Sequence, residues 1–397
     1  MTLPKVLLVL DNASASDRFI LLGIQKYASL YGPWAYNKIA QSDMTRISIE
    51  AARSWAPDGV IVSNEQCGLD EFAKFDVPII IAARNEAKRE YQNVKYVDVR
   101  NDLIGEMGAE FFLKKGYKSF AFCGFEDYYW SHEREEAFRK RIEASHYNMH
   151  TYYHRRSQQK VENFEKNRQN GLITWLMDLP KPIGLMTCSD ICASYVLDAC
   201  RLQKLHVPEE IAVLGVGNDE MLAKLCNPQL SSVELDFQQV GYHGAELLQS
   251  MIMKANGSGQ NVTDMGPMAL RIRRSAEVNA IYDKDVANAL KYIRAHVCEL
   301  IQVQDVVNAT TLSRRALYER FQKVVGHGIY TEIRNVRVEY IASMLIDTGA
   351  SILDIARTFG YCGEGNFGRY FRCIKGMSPR KYRSLYHQIR LSRYNPQ

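Results

Sequence analysis

The 397-residue sequence predicts two kinds of architecture in one chain. A two-lobed, doubly wound α/β region spans 1–275, a short linker 276–284, and an all-α domain with two helix–turn–helix units 285–397. Three observations carry this reading. Short apolar runs bounded by turn residues alternate with amphipathic stretches in the first 275 residues. Strand signals then stop and helical periodicity takes over. The helical region also holds the same pattern twice, about 50 residues apart, with Phe321 matching Phe371 and Gly326 matching Gly376.

The apolar runs are KVLLVL (5–10), GVIVS (59–63), VPIIIAA (77–83), SFAFCG (119–124), IGLMTC (183–188) and IAVLGVG (211–217). Continuous runs of this length suit strands buried on both faces of a parallel sheet. Between them, residues 100–117 set Leu103, Met107, Phe111 and Leu113 near one helical stripe. Residues 190–205 do the same with Ile191, Tyr195, Ala199 and Leu202. Strand–helix–strand alternation implies parallel sheets covered by helices, and 275 residues are enough for two lobes with a cleft between them.

Ligands of such folds bind beyond the carboxyl ends of the strands. DNASASDRF follows the first strand, with Asn12, Asp17 and Arg18; FEDYYWSHEREEAF follows the fourth, with Trp130 and Arg134. Asp190 follows the fifth, and Asn218 and Asp219 follow the sixth. Carboxylates and amides pair with vicinal hydroxyls, and aromatic faces suit the C–H faces of a sugar, so a small polyol or sugar is the expected ligand. Each residue also has a plainer reading. Asp190 could only cap a helix. Arg134 could pair with Glu133 or Glu135 on a solvated face. Asp17 and Arg18 could be an exposed helix start, Asn218 and Asp219 a turn, and Trp130 core.

Enzyme signals are poor. No phosphate loop, no dinucleotide glycine fingerprint and no nucleophile elbow follows a strand, so no cofactor and no catalytic group is expected. Nine cysteines, Cys67 among them, are scattered without Cys-x-x-Cys pairs, which suits reduced thiols in a cytoplasm and no zinc site. No leader segment or membrane span is read, so the sequons at Asn256, Asn261 and Asn308 carry no glycan on this expectation.

In the helical region, 303–326 reads as helix, turn, helix, with Val303, Val306 and Val307 inward, Ser313 capping, and Leu317 and Phe321 buried. Residues 352–376 repeat it, with Ile352, Ile355 and Ala356, then Phe367, Phe371 and Ile374. A long amphipathic helix over 330–348 joins the two. Charge is asymmetric: 281–397 holds 18 Arg/Lys and 10 Asp/Glu, whereas the remaining residues carry 32 and 35. A basic third behind a mildly acidic body suits an anionic partner. The outward residues on the second helix of each unit are Arg314, Arg315, Tyr318 and Glu319, and then Glu364, Asn366 and Arg369. Arginine forks onto guanine, asparagine onto adenine, and glutamate accepts from cytosine, so these are the candidate base-reading residues. Arg372, Lys375, Arg380, Lys381 and Arg383 are expected nearer phosphates.

GYCGEGNFGRYFRCIKGMSPRKYR (360–383) resembles the AraC/XylS family signature, with its glycine-aromatic turn, Phe-x-x-x-Phe helix and Gly-x-Ser-Pro-x-x-Tyr-Arg ending. Asn366 stands where that family usually has an aromatic. The resemblance covers about residues 283–388 and implies two helix–turn–helix units in successive major grooves. The preceding region resembles the LacI-type, periplasmic-binding-protein-like sugar sensors, through SDRF (16–19), WSHEREEAFR (130–139), Ser189-Asp190 and the SSV at 231–233. Together they imply a sugar-responsive transcriptional regulator, an activator of carbohydrate use, working as a homodimer with promoter DNA and RNA polymerase. The resemblance puts Asp17, Arg134, Asp190 and Asn218 at the sugar, with a pentose such as xylose first. Gly217 stands where these sensors commonly carry an aspartate, which leaves arabinose, another sugar or a nucleobase open.

Overall fold

The computed structural model describes residues 3–11, 14–40, 46–63, 72, 75–82, 91–154, 171–253 and 262–394; Asn12, Cys67, Asn256 and Asn261 lie outside them. The chain divides into two compact units, Met1–Ala280 and Ile281–Gln397.

The first unit is built on two six-stranded sheets. The strands are β1 (Lys5–Val9), β2 (Ala35–Ile39), β3 (Gly59–Val62), β4 (Ile79–Ala82), β5 (Val94–Val99), β6 (Phe120–Phe125), β7 (Met149–His154), β8 (Ile183–Thr187), β9 (Ile211–Gly217), β10 (Ser231–Leu235), β11 (Val262–Met265) and β12 (Pro267–Arg271). One sheet runs β11-β5-β4-β3-β1-β2, the other β12-β10-β9-β8-β6-β7. All pairings are parallel except β10 with β12. Each lobe thus takes a late strand, so the chain crosses between lobes more than once.

Burial explains the apolar runs. In β1, Val6 and Leu8 enter one core with Ile20, Ile24 and Leu248, while Leu7 and Val9 enter another with Val60, Val62 and Phe72. Both faces of that sheet are dry, which leaves no polar alternation to read. The second lobe has one large core around Phe112, Phe120, Phe122, Phe138 and Leu185. The strands without an apolar signature are mostly edges. β2 and β7 each pair on one side only, and their faces are half exposed.

The helices of this unit are α1 (Ala15–Tyr31), α2 (Arg46–Ser54), α3 (Asn101–Lys114), α4 (Tyr129–Glu143), α5 (Asp190–Leu202), α6 (Glu220–Leu225) and α7 (Phe237–Ile252). Two expected stripes are corrected. Leu103, Ile191 and Leu202 are exposed, and the buried faces are Ile104, Gly108 and Phe112 in α3, and Cys192, Val196 and Cys200 in α5. Small residues on the packed side, which an apolar-stripe reading undercounts, let these helices sit close to the sheet.

The second unit holds α8 (Lys284–Ala295), α9 (Val303–Asn308), α10 (Arg314–Val325), α11 (Ile329–Asp347), α12 (Ile352–Thr358), α13 (Glu364–Lys375) and α14 (Pro379–Tyr394). It has two cores. Val286, Leu290, Val306, Leu317, Phe321 and Ile329 form one; Ile341, Leu345, Ile355, Phe359, Phe367 and Phe371 form the other. α11 feeds both, with Ile333 in the first and Val338 in the second. α10 and α13 end alike: Gly326 and Gly376 adopt φ of +88° and +73°, a left-handed cap that favours glycine.

Candidate functional site

The carboxyl ends of both sheets open onto one cleft of 420 Å³ within the first unit. Ser14, Asp17 and Ser63 line it after β1 and β3, and Asp98 and Asn101 at the end of β5. Trp130 and Arg134 enter from α4, Asp190 from the start of α5, and Gly217 and Asp219 from the turn after β9.

Asp190 is not spent as a helix cap. Ser189 takes that role, its Oγ accepting from the Cys192 amide at 3.3 Å. Asp190 Oδ1 accepts from Ser232 Oγ at 2.6 Å, and Oδ2 accepts from the Asp219 amide at 2.7 Å. Burial pushes its carboxyl up to about 6, against the opposing pull of those two hydrogen bonds. Gly217 has φ of +124°, the turn that swings the Asp219 amide onto this carboxylate. A Cβ there would lie 3.5 Å from Asp190 Oδ2.

Arg134 is buried rather than solvated, and Glu135 pairs with Arg139 instead. Arg134 Nε donates to Asn101 Oδ1 at 2.8 Å and Nη1 to the Cys188 carbonyl at 2.5 Å. Asn101 is held in turn by donating Nδ2 to Glu133 Oε2 at 2.9 Å. The Arg134 guanidinium lies over the Trp130 ring at 4.7 Å. Burial lowers it to about 10, so it keeps its charge at neutral pH. Asp17 sits in the first turn of α1, with Oδ2 accepting from the Asp11 amide at 2.7 Å; burial raises its pKa above the ordinary carboxylate value.

Two expected ligand residues fall outside the cleft lining. Arg18, next along α1 from Asp17, points to a shallow apolar groove with Leu21, Leu22 and Tyr36. Asn218 takes a left-handed φ of +54°, and its amide side chain turns away to Arg273 at 2.8 Å and Glu234 at 3.2 Å. Asp98, Asn101 and Ser63 escape the sequence reading. Asp98 and Asn101 lie within and just after β5, a strand too polar to announce itself, and Ser63 closes the apolar run GVIVS as one small polar residue with no chemical signature of its own.

In the second unit, Ser313 caps α10, its Oγ accepting from the Ala316 amide at 3.4 Å. Arg314, Arg315, Tyr318 and Glu319 are exposed beyond it, with Arg315 and Glu319 paired at 3.1 Å. On α13, Glu364, Asn366, Arg369 and Arg372 are exposed, and Arg369 Nη2 donates to Asn366 Oδ1 at 2.8 Å. Arg380 and Lys381 are exposed in the first turn of α14, which Ser378 caps. Two residues expected nearer phosphates are engaged within the domain. Arg383 donates to the Leu345 and Ala350 carbonyls at 3.0 and 2.7 Å, and Lys375 pairs with Glu339 at 2.6 Å. Both side chains are used in packing α13 and α14 against α11 and the turn after it. A buried arginine unseen in the sequence, Arg337, ties the halves of the domain: it donates to the carbonyls of Glu299 and Phe359. Its guanidinium lies between the Phe359 and Tyr361 rings at 5.5 and 5.6 Å.

Two family models match parts of the chain: a periplasmic binding protein-like domain over residues 109–276 and a helix-turn-helix domain over 306–384. The xylose operon regulatory protein of Escherichia coli (strain K12) is 29% identical over 395 residues, 98% of either chain. That of Haemophilus influenzae is 28% identical over 388 residues, covering 96% of this chain and 98% of its own. A solved structure, that of the xylose-binding transcription activator xylR, matches with a TM-score of 0.81 at 28% identity, over 97% of this chain and 99% of the other. The two-lobed α/β unit, the paired helix–turn–helix units and these full-length likenesses agree: the chain joins a periplasmic binding protein-like sensor to a helix-turn-helix DNA-binding domain, as a sugar-controlled transcriptional regulator similar along its whole length to the xylose operon regulatory proteins.

Proposed function

We propose that this chain is a sugar-controlled activator of carbohydrate-use genes whose effector is a pentose, xylose first. The observation that carries the reading is the cleft itself, where the buried carboxylates Asp17 and Asp190 and the buried Arg134 face one cavity beside the Trp130 ring. Carboxylates accept from vicinal hydroxyls, the guanidinium donates to ring or hydroxyl oxygens, and the indole covers C–H groups. The relatives named for xylose support the choice of sugar. Arg18 and Asn218 would act, at most, from behind this lining.

In this account the sugar binds the closed arrangement of the two lobes more tightly than the open one. That differential affinity shifts the population of the DNA-binding form. The linker proposed at 276–284 brackets the division of the chain between Ala280 and Ile281, with Ala276 packed in the sensor core and Lys284 opening α8. Arg314, Arg315, Tyr318 and Glu319, with Ser313 setting the helix start, read one major groove. Glu364, Asn366 and Arg369 read the next, and Arg372, Arg380 and Lys381 meet phosphates. A homodimer on promoter DNA, contact with RNA polymerase and a cytoplasmic setting complete the proposal. Among the described residues no helix is long and apolar enough to cross a membrane.

A thermal-shift screen of pentoses, hexoses and nucleobases against the full chain, followed by calorimetry, tests the effector. Xylose is expected to give the largest stabilisation. A larger shift with a hexose or a nucleobase would replace it.

A further inference from the structure

Cysteine spacing in the sequence offers no zinc site, but the fold assembles one set of soft donors. Cys123 ends up in the middle of β6, His154 at the end of β7, and Cys192 in the first turn of α5. Their donor atoms lie within 4.8 Å of one another, and all three side chains are buried. Cys123 Sγ is 3.5 Å from Cys192 Sγ and 3.6 Å from His154 Nε2. A tetrahedral zinc ion, at about 2.3 Å from sulfur and about 2.0 Å from nitrogen, needs S···S edges of about 3.8 Å and S···N edges of about 3.6 Å. Both edges from Cys123 are therefore within a few tenths of an ångström of a metal-bound set, and the third, between Cys192 and His154, is no longer than 4.8 Å.

We propose that Cys123, Cys192 and His154 hold a thiophilic divalent cation, zinc(II), in the second lobe. The Cys188 thiol interacts with that of Cys192 and is the sulfur assigned here to the fourth position. Each cysteine that binds gives up its thiol proton to solvent and ligates as thiolate. Three thiolates around one divalent ion leave a net charge of −1, and the Arg134 guanidinium, bonded to the Cys188 carbonyl at 2.5 Å, offsets it. The ion would tie β6, β7 and α5 together two residues from Asp190, giving the wall of the cleft a fixed point. The site stands independently of the effector's identity.

The test uses the tag-free full chain, purified without chelator, loaded with zinc and dialysed. Elemental analysis is expected to find about one zinc per chain, and cobalt(II) in its place to give a thiolate-to-cobalt charge-transfer absorption. Cys123→Ser, Cys192→Ser and His154→Ala are each expected to fall below about a tenth of an ion per chain. Cys200→Ser removes a buried thiol of the same core outside the cluster and is expected to keep the full ion, which separates loss of ligand from loss of fold. Wild-type protein that is folded by circular dichroism yet holds neither zinc nor cobalt overturns the site. So does undiminished binding by the three ligand variants.

Discussion

Asp190→Asn separates the two roles that the cleft imposes on one carboxylate. In the folded chain the group titrates near 6, against an ordinary value of 3.8, because burial outweighs its two hydrogen bonds. A tenfold change in proton affinity is worth about 1.4 kcal/mol, so holding the charge above pH 6 costs the fold about 3 kcal/mol. The sign follows from the raised value. The folded state binds the proton more tightly, so this stabilisation is fully present below about pH 4 and is lost as pH rises through about 6. Asparagine is the same shape. Its Oδ1 can accept from the Asp219 amide, and its Nδ2 can donate to Ser232 Oγ. After about 1 kcal/mol for weaker neutral bonds, the variant should be about 2 kcal/mol more stable at pH 7.5 and level with wild type at pH 4. All four tryptophans, Trp34, Trp55, Trp130 and Trp175, lie in the first unit, so tryptophan fluorescence during urea unfolding of the full chain reports the sensor alone. Xylose affinity should move the other way. Losing a charged acceptor for a sugar hydroxyl weakens binding by about 1.5–3 kcal/mol, or roughly 10- to 150-fold. A variant no more stable than wild type at pH 7.5, with sugar affinity within a factor of two, would refute the assignment.

Other outcomes follow from the same structure. Wild-type sugar affinity, measured by calorimetry from pH 7.5 to 5, should fall as Asp190 protonates below about 6; a flat profile would remove the carboxylate from the sugar contacts. Trp130→Ala uncovers Arg134 and should weaken sugar binding by about 0.5–2 kcal/mol, read by the same titration, without changing DNA affinity. Lys381→Ala should lower the slope of log affinity against log salt by about 1 on every DNA tested, whereas Arg369→Ala should relax sequence preference in a selection from random DNA. Arg337→Ala should destabilise the DNA-binding domain by about 2–4 kcal/mol, read by urea unfolding followed by circular dichroism, because two carbonyls lose their shared donor.

What the sequence displays and what it conceals divide along physical lines. Six strands are visible because both faces of each sheet are dry, and Val6 or Ile80 can be hydrophobic whichever way it points. β2, β5, β7, β10, β11 and β12 are hidden. Edge strands carry tyrosine, lysine and asparagine at half-exposed positions, β5 carries Asp98 into the cleft, and β10 carries Ser232 behind it to hold Asp190. The paired helix–turn–helix units are legible nearly to the residue, since Leu317, Phe321, Phe367 and Phe371 must all be buried and Gly326 and Gly376 must end their helices. In the cleft, Asp17, Trp130, Arg134 and Asp190 can be singled out from their place after strand ends. Position alone cannot give the direction of Arg18 and Asn218, because one step along a helix or one left-handed residue turns a side chain away. Nor can it separate Arg380 from Arg383, which differ only in whether a carbonyl lies within reach.

The most direct test joins the two halves of the molecule. DNA fragments selected by the full chain from a random pool are labelled, and binding is followed by fluorescence anisotropy with and without saturating xylose at fixed salt. The account predicts that xylose changes DNA affinity by about 5- to 150-fold, and that Asp190→Asn needs far more sugar to give the same change. DNA affinity that stays the same within a factor of two in xylose and in every other sugar tried would contradict it.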